Sequence, residues 1–361
     1  MTRKEYVHNG PFRCEAGGTI SNLKIVYHIS CPDGLPACSG QGNDSVNRPN
    51  ATAEVTENSA SGKVIWICHA LTANSDPEEW WPEMVGPGRP IDIEKYTVVC
   101  ANMLCSAYGS SGPADGAFLD FPKVTVRDIV RTEILLRRHL GIGRIDLLIG
   151  SSIGGFQALE WAVMEPEVIS RAAIMACGPR VTPWLTASNE AQRMAIEADP
   201  TFRECRSLSG GEAGLRAARA IALISYRSYR GYNTTQNEED PDALFATRAA
   251  SYERYQGRKL SDRFDAYSYW YLTHSVDSHN VGRGRGGVEA ALRGIRTRCI
   301  IVGIDSDALF PTEEQRYMAD HIPGAEYHEI TSAFGHDGFL LEYGQISEIL
   351  RPELEAPVSD K

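Results

Sequence analysis

Short apolar runs rich in β-branched residues punctuate the chain: LKIVYHI at 23–29, VIWIC at 64–68, TVVC at 97–100, IDLLI at 145–149, AAIMAC at 172–177, CIIVG at 299–303 and EYHEI at 326–330. Several are continuous rather than alternating, the pattern of strands covered on both faces of a sheet. Helical patterns lie between them. The clearest is VRDIVRTEILLRRHL at 126–140, where Val126, Ile129, Val130, Ile134, Leu136 and Leu140 share one face. Thr125 and Asp128 have capping-box spacing, with Asp in place of the usual Glu, and Gly141 follows as a stop. Strand–helix alternation predicts an α/β fold built on a mostly parallel sheet.

Two regions break the alternation. Residues 30–63 are rich in Pro, Gly, Ser, Asn and Asp and are expected to form a long, mobile polar loop. Residues 181–295 contain no convincing buried strand and hold helical segments such as GLRAARAIALISYR, a polar break at NTTQNEEDPD and the aromatic run FDAYSYWYLTHSV. They predict a helical lid, 181–295, inserted into a core formed by 1–180 and 296–361.

Composition supports a large soluble core: 361 residues, 42% hydrophobic and 23% charged. The formal charge of −11 argues against a general nucleic-acid binder or a membrane-surface protein. No stretch approaches the roughly 20 apolar residues of a membrane span, and no apolar segment follows the basic N-terminus as in a secretory signal. Nine cysteines without CxxC spacing read as free thiols in a reduced, cytoplasmic setting. No metal-ligand cluster is visible, so neither a metal nor a cofactor is expected.

The strongest chemical signal is IDLLIGSSIGGFQALEW at 145–161, a strand-like run, a glycine-rich turn and a helical pattern. This is the G-x-S-x-G elbow in its strand–turn–helix context. Small residues are needed two before and two after the nucleophile, which selects Ser152, between Gly150 and Gly154, over Ser151. A serine hydroxyl needs a base, and on this fold the chain order is Ser, acid, His. His321 sits in a helical stretch and His328 in a strand-like one, whereas His336 lies on a loop between Gly335 and Gly338 and is the best base by position. The acid belongs at the end of CIIVG, where Asp305 and Asp307 both qualify. Oxyanion donors are expected from the backbone N–H groups of Ile153 and Leu71. His69 precedes the nucleophile and reads as structural. The run Gly282–Gly287, GRGRGG, reads as a flexible basic loop, with contact to ligand phosphates as the sharper alternative.

The chain also resembles a family, the homoserine O-acetyltransferases, acyl-transferring α/β-hydrolases of methionine biosynthesis. The similar stretches include CHALT at 68–72, WWPEMVGPGRPIDIEKYTVVCANML at 80–104, GSSIGGFQALEWAV at 150–163, HNVGRGRGGVEAAL at 279–292, SDALFP at 306–311 and GHDGFLLE at 335–342. The elbow departs from the family's GGSMGG at Ser151 and Ile153, neither of which removes a catalytic atom. The resemblance implies a triad of Ser152, Asp307 and His336, and resolves the acid to Asp307. It further implies Arg219 and Asp337 as the groups that hold an amino-acid substrate, acetyl-CoA as co-substrate and L-homoserine as acceptor. A homodimer through the lid helices is implied as well, with the aromatic segment near 264–272 as the expected contact. Homoserine O-succinyltransferase, a serine-directed acyltransferase and an esterase or thioesterase with the same triad are the alternative readings.

Overall fold

The structure is a computed structural model that describes residues 1–32 and 62–357. Most of the polar segment expected at 30–63 therefore lies outside the described residues. Eight strands form the main sheet: β1 (Thr2–Val7), β2 (Lys24–Ile29), β3 (Val64–Cys68), β4 (Thr97–Ala101), β5 (Leu147–Ser151), β6 (Arg171–Met175), β7 (Arg298–Ile304) and β8 (Glu326–Ile330). Their spatial order is β1-β2-β4-β3-β5-β6-β7-β8, with β2 antiparallel to both neighbours and β3 to β8 mutually parallel.

The continuous apolar runs have a direct cause. In VIWIC, Val64, Trp66 and Cys68 enter the core on one face of the sheet, while Ile65 and Ile67 enter the core on the other. With both faces covered by helices, a strand gains by being apolar at every position. Trp66 packs edge-on against Trp161 at 5.1 Å between ring centres. Two strands differ from the sequence reading. β1, TRKEYV, was not expected, because as an edge strand it buries no residue fully. β5 starts later than the IDLLI run and extends to Ser151.

Helices of ten or more residues are α1 (Val126–His139), α2 (Ile153–Met164), α3 (Pro183–Glu197), α4 (Glu212–Tyr226), α5 (Arg248–Ser261), α6 (Ala266–Asp277), α7 (Thr312–His321) and α8 (Tyr343–Glu355). The expected capping box on α1 is formed: Thr125 accepts from the Asp128 N–H and Asp128 from the Thr125 N–H. Helices α3 to α6 occupy the connection between β6 and β7.

The aromatic run expected at a dimer contact is instead interior to the chain. Phe264, Tyr267, Tyr269, Tyr271 and Leu272 are all buried. Tyr271 donates to the carbonyl of Phe121 at 2.6 Å, and Ser275 donates to that of Val124 at 2.8 Å. Helix α6 thus closes on the 119–124 segment and offers no such surface to a partner.

The GRGRGG loop is also not a free basic loop. Arg285 donates to both oxygens of Glu160, which is buried on α2. Arg127 approaches the same carboxylate at 3.0 Å, and Arg283 pairs with Glu15 at 2.8 Å. Arg283 and Arg285 tie the 282–287 loop to Glu15 and Glu160, and the loop does not line the cavity described below. Among the described residues seven cysteines are free, namely Cys14, Cys68, Cys100, Cys105, Cys177, Cys205 and Cys299.

Candidate active site

The loops that leave the carboxyl ends of β3, β5, β7 and β8 converge, as expected of a parallel sheet whose ligand site lies beyond its strand ends. Ser152 follows β5 directly and has φ 58° and ψ −127°. That conformation is nearly reserved for glycine and costs a residue with a Cβ about 1–3 kcal/mol. Close packing enforces the turn. A Cβ on Gly150 would overlap the Gly154 carbonyl, and one on Gly154 would overlap that of Cys68. The Ser152 N–H donates to the Met175 carbonyl at 3.0 Å, tying the elbow to β6. Its side chain makes no hydrogen bond among the described residues, His336 included.

Helix α2 begins at Ile153. The N–H groups of Ile153 and Leu71 make no hydrogen bond among the described residues, and both residues line the space in front of Ser152. The Leu71 loop is braced by His69. Met103 N–H donates to its Nε2 at 3.1 Å, so Nδ1 carries the proton and donates to the Ala70 carbonyl at 2.8 Å. Burial pushes its pKa down to about 4. His69 is a fixed neutral strut, as its chain position suggested.

His336 lies on a one-turn helix, Gly335–Asp337, in the loop after β8. Its Nδ1 meets Asp307 Oδ2 at 2.7 Å. The other oxygen of Asp307 accepts from the N–H groups of Leu309 at 2.8 Å and Phe310 at 2.9 Å. Asp305, which spacing left as an equal candidate, accepts instead from the Ser332 N–H at 3.0 Å and braces the neighbouring loop. Burial disfavours the imidazolium of His336. The charge and hydrogen bond of Asp307, with the charge of Asp337, outweigh this and hold its pKa above the ordinary value.

Ser152 and His336 open into one cavity of about 700 Å³, which Leu71, Arg219, Tyr226 and Asp337 also line. Arg219 has no ion pair among the described residues, and its guanidinium stands 5.6 Å from the centre of the Tyr226 ring. Asp337 lies 2.8 Å from Arg227 Nε. Ser152, Arg219, His336 and Asp337 therefore reach the same space, and Asp307 stands behind it in contact with His336. Tyr226 and Arg227 were missed. A usable signal existed for Tyr226, since it sits seven residues, about two helical turns, after Arg219 and so shares its face. The lining holds four cations, Arg219, Arg227, Lys259 and Arg263, against two acids, Glu79 and Asp337.

Residues 63–343 match the family described as alpha/beta hydrolase fold. The chain is 43% identical over 342 residues to the homoserine O-acetyltransferase of Cyclobacterium marinum, covering 92% of this chain and 95% of that protein. Among solved structures, homoserine O-acetyltransferase from Bacillus anthracis superposes with a TM-score of 0.83 at 23% identity, covering 99% of this chain and 98% of that one. Esterase E22 superposes with a TM-score of 0.81 at 20% identity, covering 98% and 100%. At these identities the two superpositions speak to the fold, which transferases and esterases share. The sequence relationship goes further: the chain belongs to the homoserine O-acetyltransferase family, acyltransferases built on the α/β-hydrolase fold.

Proposed function

We propose that the protein transfers an acetyl group from acetyl-CoA to the hydroxyl of L-homoserine through an acyl-enzyme on Ser152. The observation that carries this reading is the joint opening of Ser152 and the His336–Asp307 pair into a cavity that also holds Arg219 and Asp337. His336 takes the Ser152 proton as Oγ attacks the thioester carbon, and the Ile153 and Leu71 N–H groups receive the oxyanion. Collapse breaks the C–S bond, and His336 returns the proton to the leaving thiolate. Homoserine then binds, its carboxylate to Arg219 and its ammonium to Asp337. His336 removes the hydroxyl proton, the alkoxide attacks the acyl carbon, and Ser152 is released with that proton. With Arg227 paired to Asp337, the remaining Arg219, Lys259 and Arg263 against Glu79 favour a polyanionic donor in a chain of net charge −11. No further cofactor enters this cycle.

Incubation with acetyl-CoA alone should add one acetyl group to Ser152, read by intact-mass and peptide mass spectrometry. Ser152→Ala should abolish both the adduct and turnover, and a variant that retains the wild-type rate refutes the assignment. The second reading, an esterase or thioesterase, is favoured by the fold shared with esterase E22; it requires rapid CoA release without homoserine. Succinyl-CoA as donor and L-serine as acceptor complete the comparison. One methylene separates serine from homoserine and is worth about 1–3 kcal/mol, so weak serine turnover is compatible with the proposal.

A homodimer through the lid is part of the same reading, resting now on exposed Trp184, Met194, Ile224, Tyr229 and Tyr255 rather than on α6. Sedimentation of a strict monomer at micromolar concentration would remove it. No helix among the described residues is long and apolar enough to cross a membrane, and a cytoplasmic place in methionine biosynthesis belongs to the proposal.

A further inference from the structure

The end of α4 and the residues after it press directly on the loop that carries the base. A Cβ on Gly335, which has φ +65°, would come within 2.7 Å of the Tyr226 carbonyl oxygen and 2.8 Å of the Ser228 nitrogen. Ser228 Oγ donates to the Ala333 carbonyl. A Cβ on Gly231 would stand 2.6 Å from that same oxygen. Between these contacts Arg227 leans over the Phe334 ring, 5.9 Å from its centre, and brings Nε to 2.8 Å from Asp337 Oδ2. The lid thus grips residues 333–337 along their whole length.

Asp337 makes no other ion pair or hydrogen bond among the described residues, and its side chain is 16% exposed where it borders the cavity. A carboxylate offers acceptor sites on both oxygens. Arg227 faces one of them as an ion pair, its Nε off the line of a hydrogen bond, and the other has no protein partner among the described residues. An aspartate held this way keeps its orientation before any ligand arrives, which lowers the ordering cost of binding a cation.

We infer that Arg227 is a positioning residue that pins one oxygen of Asp337 so that the other receives the α-ammonium of an amino-acid acceptor. The inference deepens the reading of the acceptor given above and rests on it. Arg227 touches no substrate atom in this account. It makes the ammonium, rather than the hydroxyl or the carboxylate, the feature that the lid-facing wall selects.

The test compares Arg227→Ala and Arg227→Lys with wild type in the full chain. One measurement is acylation by acetyl-CoA alone. The others are KM and kcat for L-homoserine and for 4-hydroxybutyrate, which keeps the carboxylate and hydroxyl but lacks the ammonium. Arg227→Ala should raise the homoserine KM about tenfold, a loss the size of a charge-assisted contact. It should leave kcat, 4-hydroxybutyrate transfer and acylation within about twofold of wild type, and Arg227→Lys should recover most of the loss. Equal loss on both acceptors, or loss of acylation, overturns the inference.

If wild type is acylated but ignores homoserine, the acceptor reading falls by itself, and the pH profile of p-nitrophenyl acetate cleavage then decides the positioning role. The charged and titratable groups around His336 are Asp307, Asp337, Arg227, Arg219 and the Tyr226 hydroxyl. Removing the Arg227 cation leaves Asp337 unopposed beside the imidazole, so the acid limb should move to higher pH. Adding Asp337→Asn should move it back. A limb that stays in place overturns the inference.

Discussion

Ser152→Gly and Ser152→Ala both delete the hydroxyl, and both should fail to acylate. They differ in their effect on a backbone held at φ 58° and ψ −127°. Alanine keeps the Cβ that makes this region cost about 1–3 kcal/mol, and glycine removes it. Glycine also frees the unfolded chain, which offsets about 0.4–1 kcal/mol of that relief. The glycine variant should therefore be the more stable of the two by about 0.5–2 kcal/mol. Nothing else separates them, because the Ser152 side chain makes no hydrogen bond that either variant would lose. At roughly 2.1 cal/mol/K per residue, the 361-residue chain unfolds with an entropy of about 0.8 kcal/mol/K. The gap becomes roughly 1–3 °C in Tm, within reach of scanning calorimetry on matched samples. An alanine variant as stable as the glycine one would mean that the elbow stores no strain. The argument that small flanking residues force Ser152 into this turn would then lose its physical basis.

Three further outcomes follow from contacts described above. Asp307→Asn leaves the shape of the site but removes the partner that fixes the His336 tautomer, and acylation by acetyl-CoA should slow about 10³- to 10⁴-fold; a loss below tenfold in stopped-flow acylation would contradict the role of the 2.7 Å contact. Glu133 is buried beside Cys68, and burial pushes its pKa up to about 8 from an ordinary 4.5. The native state therefore holds a proton that the unfolded chain has released, so stability falls by up to about 1.4 kcal/mol per pH unit between those values; Glu133→Gln should flatten the dependence of the urea midpoint on pH from 5 to 8. Arg285→Ala strips buried Glu160 of one of its cations and should cost about 3 kcal/mol of stability. Because the loop lies outside the cavity, the acetyl-CoA KM should not change, and a tenfold rise would restore the phosphate-contact reading.

What the sequence disclosed and what it hid divide along the range of the interactions involved. β3, β4 and β7 were legible because a strand covered on both faces writes its burial into consecutive letters. The elbow was legible because its steric demands fall on Gly150 and Gly154, two residues away on either side. β1 was invisible, since an edge strand without a buried face has no hydrophobic signature. The GRGRGG loop misled because its partners, Glu15 and Glu160, are 268 and 125 residues distant from Arg283 and Arg285. Local composition then shows only glycine and charge. The aromatic segment near 264–272 misled for the same reason, as the carbonyls that satisfy Tyr271 belong to Leu119 and Phe121. Spacing alone left Asp305 and Asp307 equal; the resemblance points to Asp307, whose side chain is the one that meets His336.

The order of the triad along the chain has a consequence for biosynthesis. Ser152 is made early, whereas Asp307 and His336 come after the whole helical insertion between β6 and β7. While that insertion is being translated, Ser152, the nucleophile of the proposed cycle, has neither His336 nor Asp307. The glycines that shape the elbow also depend on packing against β3 and β6, so an isolated nascent segment has no reason to hold Ser152 in its strained turn. Reactivity toward thioesters should therefore switch on only when β7 and β8 join the sheet, near the end of synthesis. A chain truncated before His336 would carry the nucleophile and remain chemically silent, which makes acylation a direct report that the last two strands have docked.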